Sequence, residues 1–309
     1  MPESAPASII LNAGAGQGNA PEQARQIEER FAASGVPARA VLVGDGAQIT
    51  QAAAAAVQAG APLVVAGGGD GTVSAVASGL AGTGIAMGVL PMGTLNHFAK
   101  DLGLPLQLDD AVAAIARGRA IAVDAAEVNG RLFINNSSLG LYPDIVLDRE
   151  HQRHRLGRGK WRALLAACVH AARRYPVLTL QIDLDGQAYE RRSSFVFIGN
   201  NEYRMEGFNI GERASISGAR LSLYVTQRTG RFGLLRLALR ALAGRLRQAR
   251  DFDMVTARSL VVRTPQRRVR VATDGEVHVM ESPLHYRTRP GALRVIVPAA
   301  AQAVQEKRQ

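Results

Sequence analysis

Between residues 8 and 120, short apolar runs alternate with longer stretches of helical spacing. Ser8–Leu11 reads as a strand that ends in the glycine-containing turn Asn12–Gly18. Pro21–Ala33 reads as a helix, with proline in its first turn and Gly35 just past its end. The series continues with strand Ala40–Val43, helix Ala47–Ala59, strand Pro62–Ala66, helix Val73–Leu80 and strand Ile85–Leu90. A turn at Pro91–Gly93 leads into Thr94–Lys100, and Asp109–Arg117 is a further helix. Strands and helices alternating at this spacing predict a parallel sheet with helices on its faces.

After about residue 120 the pattern shortens to strand length. Ala122–Val128, Leu132–Asn135, Leu178–Leu184, Ser194–Ile198, Leu221–Val225, Ser259–Arg263, Arg268–Ala272 and Val277–Met280 read as strands. Asp185-Gly186 and Asp274-Gly275 are hairpin turns by composition. The predicted architecture is therefore an α/β N-terminal domain, residues 1–120, followed by a β-rich sandwich domain, residues 121–309. The last strand, Leu293–Val297 within about 291–298, fits either domain.

Composition narrows the chemistry. The chain has 309 residues, 47% of them hydrophobic, enough for a sizeable core. The lone Cys168 excludes an internal disulfide scaffold, thiolate zinc sites and iron–sulfur clusters. Thirty-seven basic residues face 26 acidic ones for a net charge of +11, and only Lys100, Lys160 and Lys307 are lysines. Arginine binds phosphate and carboxylate bidentately, so an anionic partner is expected. Met1–Ser8 lacks the basic and apolar regions of a secretory signal, and no apolar run reaches the ~18 residues of a transmembrane helix. The expectation is a cytoplasmic protein that meets membranes peripherally.

The basic residues cluster. Gln227–Arg250 carries Arg228, Arg231, Arg236, Arg240, Arg245, Arg247 and Arg250 and no acid, with Leu235, Leu239, Leu242 and Leu246 on one helical face. Arg149–Arg174 is similarly basic and holds Trp161. Either stretch suits a core-packed helix with a solvated back or docking on an anionic membrane. Nothing beyond charge suggests a specific nucleic-acid partner. His151 and His154 read as surface residues.

The sharpest local feature is Gly67-Gly68-Gly69-Asp70-Gly71-Thr72, set between an apolar strand and a helix start. Free amides and the positive end of the helix dipole converge at such a place, and glycine lets backbone approach phosphate. Asp70 then makes sense as a Mg²⁺ ligand or as an acceptor for a loop amide, and Thr72 as a hydroxyl for phosphate. The sequence is neither a Walker loop nor the dinucleotide Gly-x-Gly-x-x-Gly pattern. Asn12-Ala13-Gly14-Ala15-Gly16 and Pro91-Met92-Gly93-Thr94-Leu95-Asn96 follow two other strands, so three glycine-containing loops should share one sheet edge.

Gly68-Gly69-Asp70-Gly71-Thr72 followed by Pro91–Asn96 resembles the diacylglycerol kinase catalytic domain family, which includes bacterial soluble lipid kinases and sphingosine kinases. Asn12–Gly16 is similar to that family's first nucleotide loop. Asp274-Gly275-Glu276 resembles its Asp-Gly-Glu motif, and Pro290-Gly291-Ala292-Leu293-Arg294 follows as in bacterial members. The resemblance implies an ATP- and Mg²⁺-dependent lipid kinase acting on a diacylglycerol-like hydroxyl, with the site in a cleft between two domains. It implies that Asn12, Ala13, Gly14, Ala15, Gly16, Gly68, Gly69, Asp70, Gly71, Thr72, Val73, Ser74, Ala75, Gly93, Thr94 and Asn96 bind the nucleotide. Asp70 would also serve the metal, Glu276 would be the general base, and Asp274 would lie beside it.

Three positions depart from the family. His97 stands where many members have aspartate, Ser217-Gly218-Ala219 replaces an Asp-Gly pair of a structural Mg²⁺ loop, and Ser74-Ala75 replaces Asn-Glu. No second metal site is therefore expected. A nucleotide-binding regulator without turnover stays open as an alternative. So does an NAD kinase-like enzyme, although Gly93–Asn96 and Asp274–Glu276 disfavour it.

Overall fold

A computed structural model describes residues 5–13, 19–140, 178–184, 186–193, 195–206, 209–213, 215–226 and 252–299. The chain divides into two compact units, one of residues 1–125, 215–218 and 289–309, the other of residues 126–214 and 219–288. The basic stretches 149–174 and 227–250 lie outside the described residues.

The first unit is α/β. Its elements are β1 (Ala7–Asn12), α1 (Ala20–Ala33), β2 (Ala38–Val43), α2 (Gly46–Gln58), β3 (Leu63–Gly68), α3 (Asp70–Leu80), β4 (Ala86–Pro91), α4 (His97–Asp101) and α5 (Leu108–Arg117). The strands run parallel in the order β2-β1-β3-β4. Local signals set the boundaries: Pro21 lies in the first turn of α1, and the Asp45 carboxylate caps α2 by accepting the Gln48 N–H at 2.8 Å. Ile9, Leu11, Val65 and Leu90 of the strands pack with Ile27 and Phe31 of α1 and Ile115 of α5.

The second unit is built of antiparallel strands: the end of β5 (Arg119–Val128), then β6 (Arg131–Phe133), β7 (Asn136–Gly140), β8 (Leu178–Leu184), β9 (Gln187–Ser193), β10 (Phe195–Asn200), β11 (Tyr203–Glu206), β12 (Asn209–Arg213), β13 (Leu221–Thr226), β14 (Phe252–Ala257), β15 (Ser259–Arg263), β16 (Arg268–Thr273), β17 (Glu276–Glu281) and the start of β18 (Leu284–Val297). One sheet runs β14-β13-β10-β7-β16-β17. The other places β18 beside β15, then β8 and β9. Phe133, Leu139, Ile182, Ile198, Val271 and Tyr286 come from both sheets into one core, the interior of a sandwich.

β18 serves both units. Leu284–Arg287 pairs with β15 in the second, while Arg294 and Val295 pair parallel with Ala86 and Met87 of β4 in the first. The strand expected over Leu132–Asn135 is instead broken: β6 stops at Phe133 and β7 starts at Asn136. The amides at that break turn to a side chain of the β16–β17 hairpin, described below. Asp274 (φ 49°) and Gly275 (φ 87°) form the tip of that hairpin, both in the left-handed region that a two-residue type I′ turn needs. Of the other expected turn, Asp185 lies outside the described residues and Gly186 has φ 91°.

Candidate active site

The glycine loops belong to the first unit. Parallel pairing sets Leu11 beside Gly67, and Gly67 and Gly68 beside Leu90 and Pro91, so β1, β3 and β4 end level. The loops that follow therefore leave from one edge. Asn12 closes β1, and the Ala13 N–H donates to the Val43 carbonyl at 2.8 Å. Gly14, Ala15 and Gly16 lie outside the described residues.

The loops after β3 and β4 touch through their backbones. A Cβ on Gly93 would stand 2.4 Å from the Gly69 Cα, far inside contact distance. The Met92 N–H donates to the Gly68 carbonyl at 3.0 Å. Asn96, buried and left-handed at φ 51°, closes the third loop on itself. Its Oδ1 accepts the Gly93 N–H at 3.0 Å and its Nδ2 donates to the Gly93 carbonyl at 2.9 Å.

Gly69 caps α3, and Asp70 is the first helical residue. The amides of a helix's first turn have no carbonyl within the helix to bond, so those of Asp70, Gly71 and Thr72 form the donor end of α3. The Asp70 Oδ1 accepts the Phe98 N–H at 3.3 Å, which ties the start of α3 to the start of α4. Thr72 is buried, and its side chain fills the space a Cβ on Gly68 would need, with Oγ1 2.4 Å from that position. Val73 is buried in the core, Ser74 and Ala75 are half-buried, and Thr94 and His97 are exposed.

Asp70 is the acidic residue of the glycine loop. Among the described residues no cluster of three His, Cys, Asp or Glu side chains could hold a metal by itself. One carboxylate suits Mg²⁺ that arrives on a nucleotide, because this ion keeps waters and phosphate oxygens as most of its ligands. The Ser217 N–H donates to Ser215 Oγ at 3.2 Å, and its hydroxyl is a poor stand-in for a carboxylate ligand.

The acidic hairpin belongs to the second unit. The Asp274 carboxylate accepts three backbone N–H groups: Ile134 on Oδ2 at 2.8 Å, and Asn135 and Asn136 on Oδ1 at 2.8 and 3.1 Å. The Asp274 N–H donates to the Asn136 carbonyl at 2.9 Å. The hairpin tip is thus fastened to the break between β6 and β7. Arg213, itself buried, braces the same break by donating to the Ile134 carbonyl and to Asn135 Oδ1, each at 2.8 Å.

Glu276 is the first residue of β17, with about half of its side chain exposed, and its Oε2 lies 3.6 Å from His278 Nε2. The interaction with His278 is the main force holding the Glu276 carboxyl below the usual carboxylate range; burial opposes it, and the charges of His278 and Arg131 add to the lowering. Neither His278 nor Arg213 stood out in the sequence. Two residues apart in a strand means one face, which is the signal that could have flagged His278 once Glu276 was chosen.

Two family profiles cover most of the chain. Residues 6–128 match the Diacylglycerol kinase catalytic domain, and residues 143–297 match the YegS C-terminal NAD kinase beta sandwich-like domain. The chain belongs to the diacylglycerol kinase catalytic domain family. A Yersinia enterocolitica protein named "Probable lipid kinase YegS-like" is 41% identical over 96 residues, 30% of this chain and 31% of that protein. A Synechocystis sp. protein is 32% identical over 204 residues, 62% of this chain and 46% of the relative. The chain thus spans less than half the length of these curated relatives. The structure of a diacylglycerol kinase from Bacillus anthracis str. Sterne superposes with a TM-score of 0.73 at 24% identity, covering 96% of this chain and 98% of that one, a likeness of fold. The α/β domain and the β sandwich of this diacylglycerol kinase family member agree with the architecture read from its sequence.

Proposed function

We propose that the protein is an ATP- and Mg²⁺-dependent lipid kinase that phosphorylates a diacylglycerol-like hydroxyl. The observation that carries this reading is the backbone contact between Gly69 and Gly93 at the donor end of α3. Glycine at both positions keeps side chains out of that contact and leaves the first-turn amides of α3 for a polyphosphate, in a chain of the diacylglycerol kinase family.

In this reading the amides of Gly69–Thr72 and the Thr94 hydroxyl bind the triphosphate, while Asn12–Gly16 and Val73–Ala75 line the rest of the nucleotide. Bound Mg²⁺ supplies neutralisation of the β- and γ-phosphate charge. Asp70 orients the metal with its carboxylate and holds α4 through Phe98. Glu276 takes the proton from the acceptor hydroxyl on its carboxylate. The acceptor oxygen then bonds to the γ-phosphorus as the bridge to the β-phosphate breaks, giving a phosphorylated lipid and ADP. Asp274 keeps the hairpin tip in place through its three amide contacts.

The acceptor lies in a membrane, so the protein would work in the cytoplasm at an anionic lipid surface. The arginines of segments 149–174 and 227–250 support such contact by composition, without a nucleic-acid role. Among the described residues no helix is long and apolar enough to cross a membrane.

The test is incubation with γ-labelled ATP, Mg²⁺ and total lipid extract, with NAD in a parallel arm, followed by identification of the labelled product. A phospholipid product that disappears in Glu276→Gln supports the reading. Label on NAD identifies the NAD kinase-like alternative, and nucleotide binding without any labelled product identifies a regulator.

A further inference from the structure

His278 is a polar side chain in an apolar place. β17 is the outer strand of its sheet and pairs only with β16 there. Residues directly opposite on paired strands share a face. Glu276, His278 and Met280 therefore share a face with Thr273, Val271 and Val269, which are buried. Met280 packs on the sandwich core. On the other face lie Val279 and Glu281 with Arg270 and Arg268. The neighbours of the imidazole on β16 carry no charge. The charged group facing it is Glu276 on its own strand, and Arg131 of β6 is the further cation acting on that carboxylate.

The imidazole Nε2 is buried and has no hydrogen-bond partner among the described residues. Burying a polar nitrogen without a partner is costly, and the Glu276 carboxylate stands beside it with Oε2 at 3.6 Å. That separation is an ion-pair contact just short of a hydrogen bond, and such contacts in ligand-free sites tighten when substrate binds.

From this geometry we infer that His278 is a positioning residue for Glu276: its Nε2–H holds Oε2, and this aims Oε1 at the acceptor hydroxyl. The inference rests on the proposed lipid kinase reading and deepens it. The imidazole takes no proton from substrate. It fixes which oxygen of the carboxylate acts as base, and a neutral donor at the same place would do the same.

The test compares His278→Gln, whose amide keeps an N–H donor, with His278→Phe, which keeps the ring volume and loses the donor. Melting temperatures of both variants establish that they fold. Two readouts follow, the ¹³C titration of the Glu276 carboxyl and steady-state kinetics with ATP and lipid. The expected result is that His278→Phe raises the midpoint of the Glu276 titration and lowers kcat about tenfold or more with KM for ATP unchanged, while His278→Gln keeps kcat within about threefold. An unmoved Glu276 titration in His278→Phe overturns the pairing even in an active enzyme. A moved titration with wild-type kcat overturns the positioning role. Absence of lipid product from the wild-type protein overturns the kinase reading instead, and the titration then decides the pairing alone.

Discussion

Gly93 and Gly69 approach so closely that a single methyl group between them would overlap backbone: a Cβ on Gly93 would lie 2.4 Å from the Gly69 Cα and 2.9 Å from Asn96 Oδ1. Gly93→Ala must therefore push the third loop away from the second. Overpacking of this kind costs about 1–3 kcal/mol. A displacement near 1 Å at a phosphate site costs on the order of 10²-fold in rate. The expected outcome is a folded protein with a modestly lower melting temperature, about 100-fold lower kcat/KM for ATP and correspondingly weak nucleotide binding by calorimetry.

On the proposed reading Asp70 has two tasks, and one substitution separates them. Asp70→Asn keeps an oxygen to accept the Phe98 N–H but removes the charge. Stability should stay within about 0.5 kcal/mol of wild type, while activity falls at least about tenfold and the requirement for Mg²⁺ rises. Asp70→Ala should lose stability as well, because the tie between α3 and α4 goes with the carboxylate. Denaturant titration alongside Mg²⁺-dependent kinetics distinguishes the two variants.

Asp274 holds three amides with one carboxylate. Asp274→Ala leaves those donors unsatisfied and places alanine at φ 49°, so a loss of about 2–4 kcal/mol is expected. Asp274→Asn tolerates the left-handed backbone and should lose about half as much. Urea midpoints measure both.

Tyr286 gives a stability prediction with a definite sign. Its buried hydroxyl contacts Ser137 Oγ at 3.1 Å, and burial pushes its ionisation well above the ordinary tyrosine range. Above an ordinary value of about pH 10 the unfolded chain releases this proton while the native state keeps it, so stability falls by about 1.4 kcal/mol per pH unit from this residue. Tyr286→Phe should cost about 1 kcal/mol at neutral pH, then match or exceed wild type near pH 11 because it lacks that slope. Chemical denaturation at pH 7 and pH 11 checks the crossing.

The lowered Glu276 carboxyl fixes a second sign. Its stabilising contribution is present above the ordinary carboxyl range and is lost only as pH falls through the depressed native value. On the proposed reading the base is therefore the anion throughout the range above ordinary carboxyl values. A kcat profile should show no acid limb from this residue between about pH 5 and 8, and a limb there that vanishes in Glu276→Gln would contradict the assignment.

The first unit was legible because its strands are continuous apolar runs, each closed by glycine or proline, as at Leu63–Gly68 and Ala86–Pro91. The second was legible only in part. Asn136–Gly140 is a strand whose polar residues hide it: Ser137 and Ser138 are fully buried between β10 and β16, and Ser137 spends its hydroxyl on Tyr286. Pro290-Gly291 looks like a break, yet β18 runs through it, with the Gly291 N–H donating to Asp124 Oδ1 at 2.9 Å. At the candidate site, the strand–loop–helix pattern singled out the glycine loops, and the family resemblance pointed to Glu276. The Asp274 anchorage could not be read this way, since it joins residues about 140 positions apart that no local pattern relates.

The split service of β18 makes this chain hard to dissect. A fragment stopping at residue 125 would contain all three glycine-containing loops but not Arg294 and Val295, which pair with β4. The bared edge would present unpaired amides and carbonyls to any neighbouring molecule. Isolated halves are therefore poor material for dissecting this protein, and point variants of the full chain are the sounder tool.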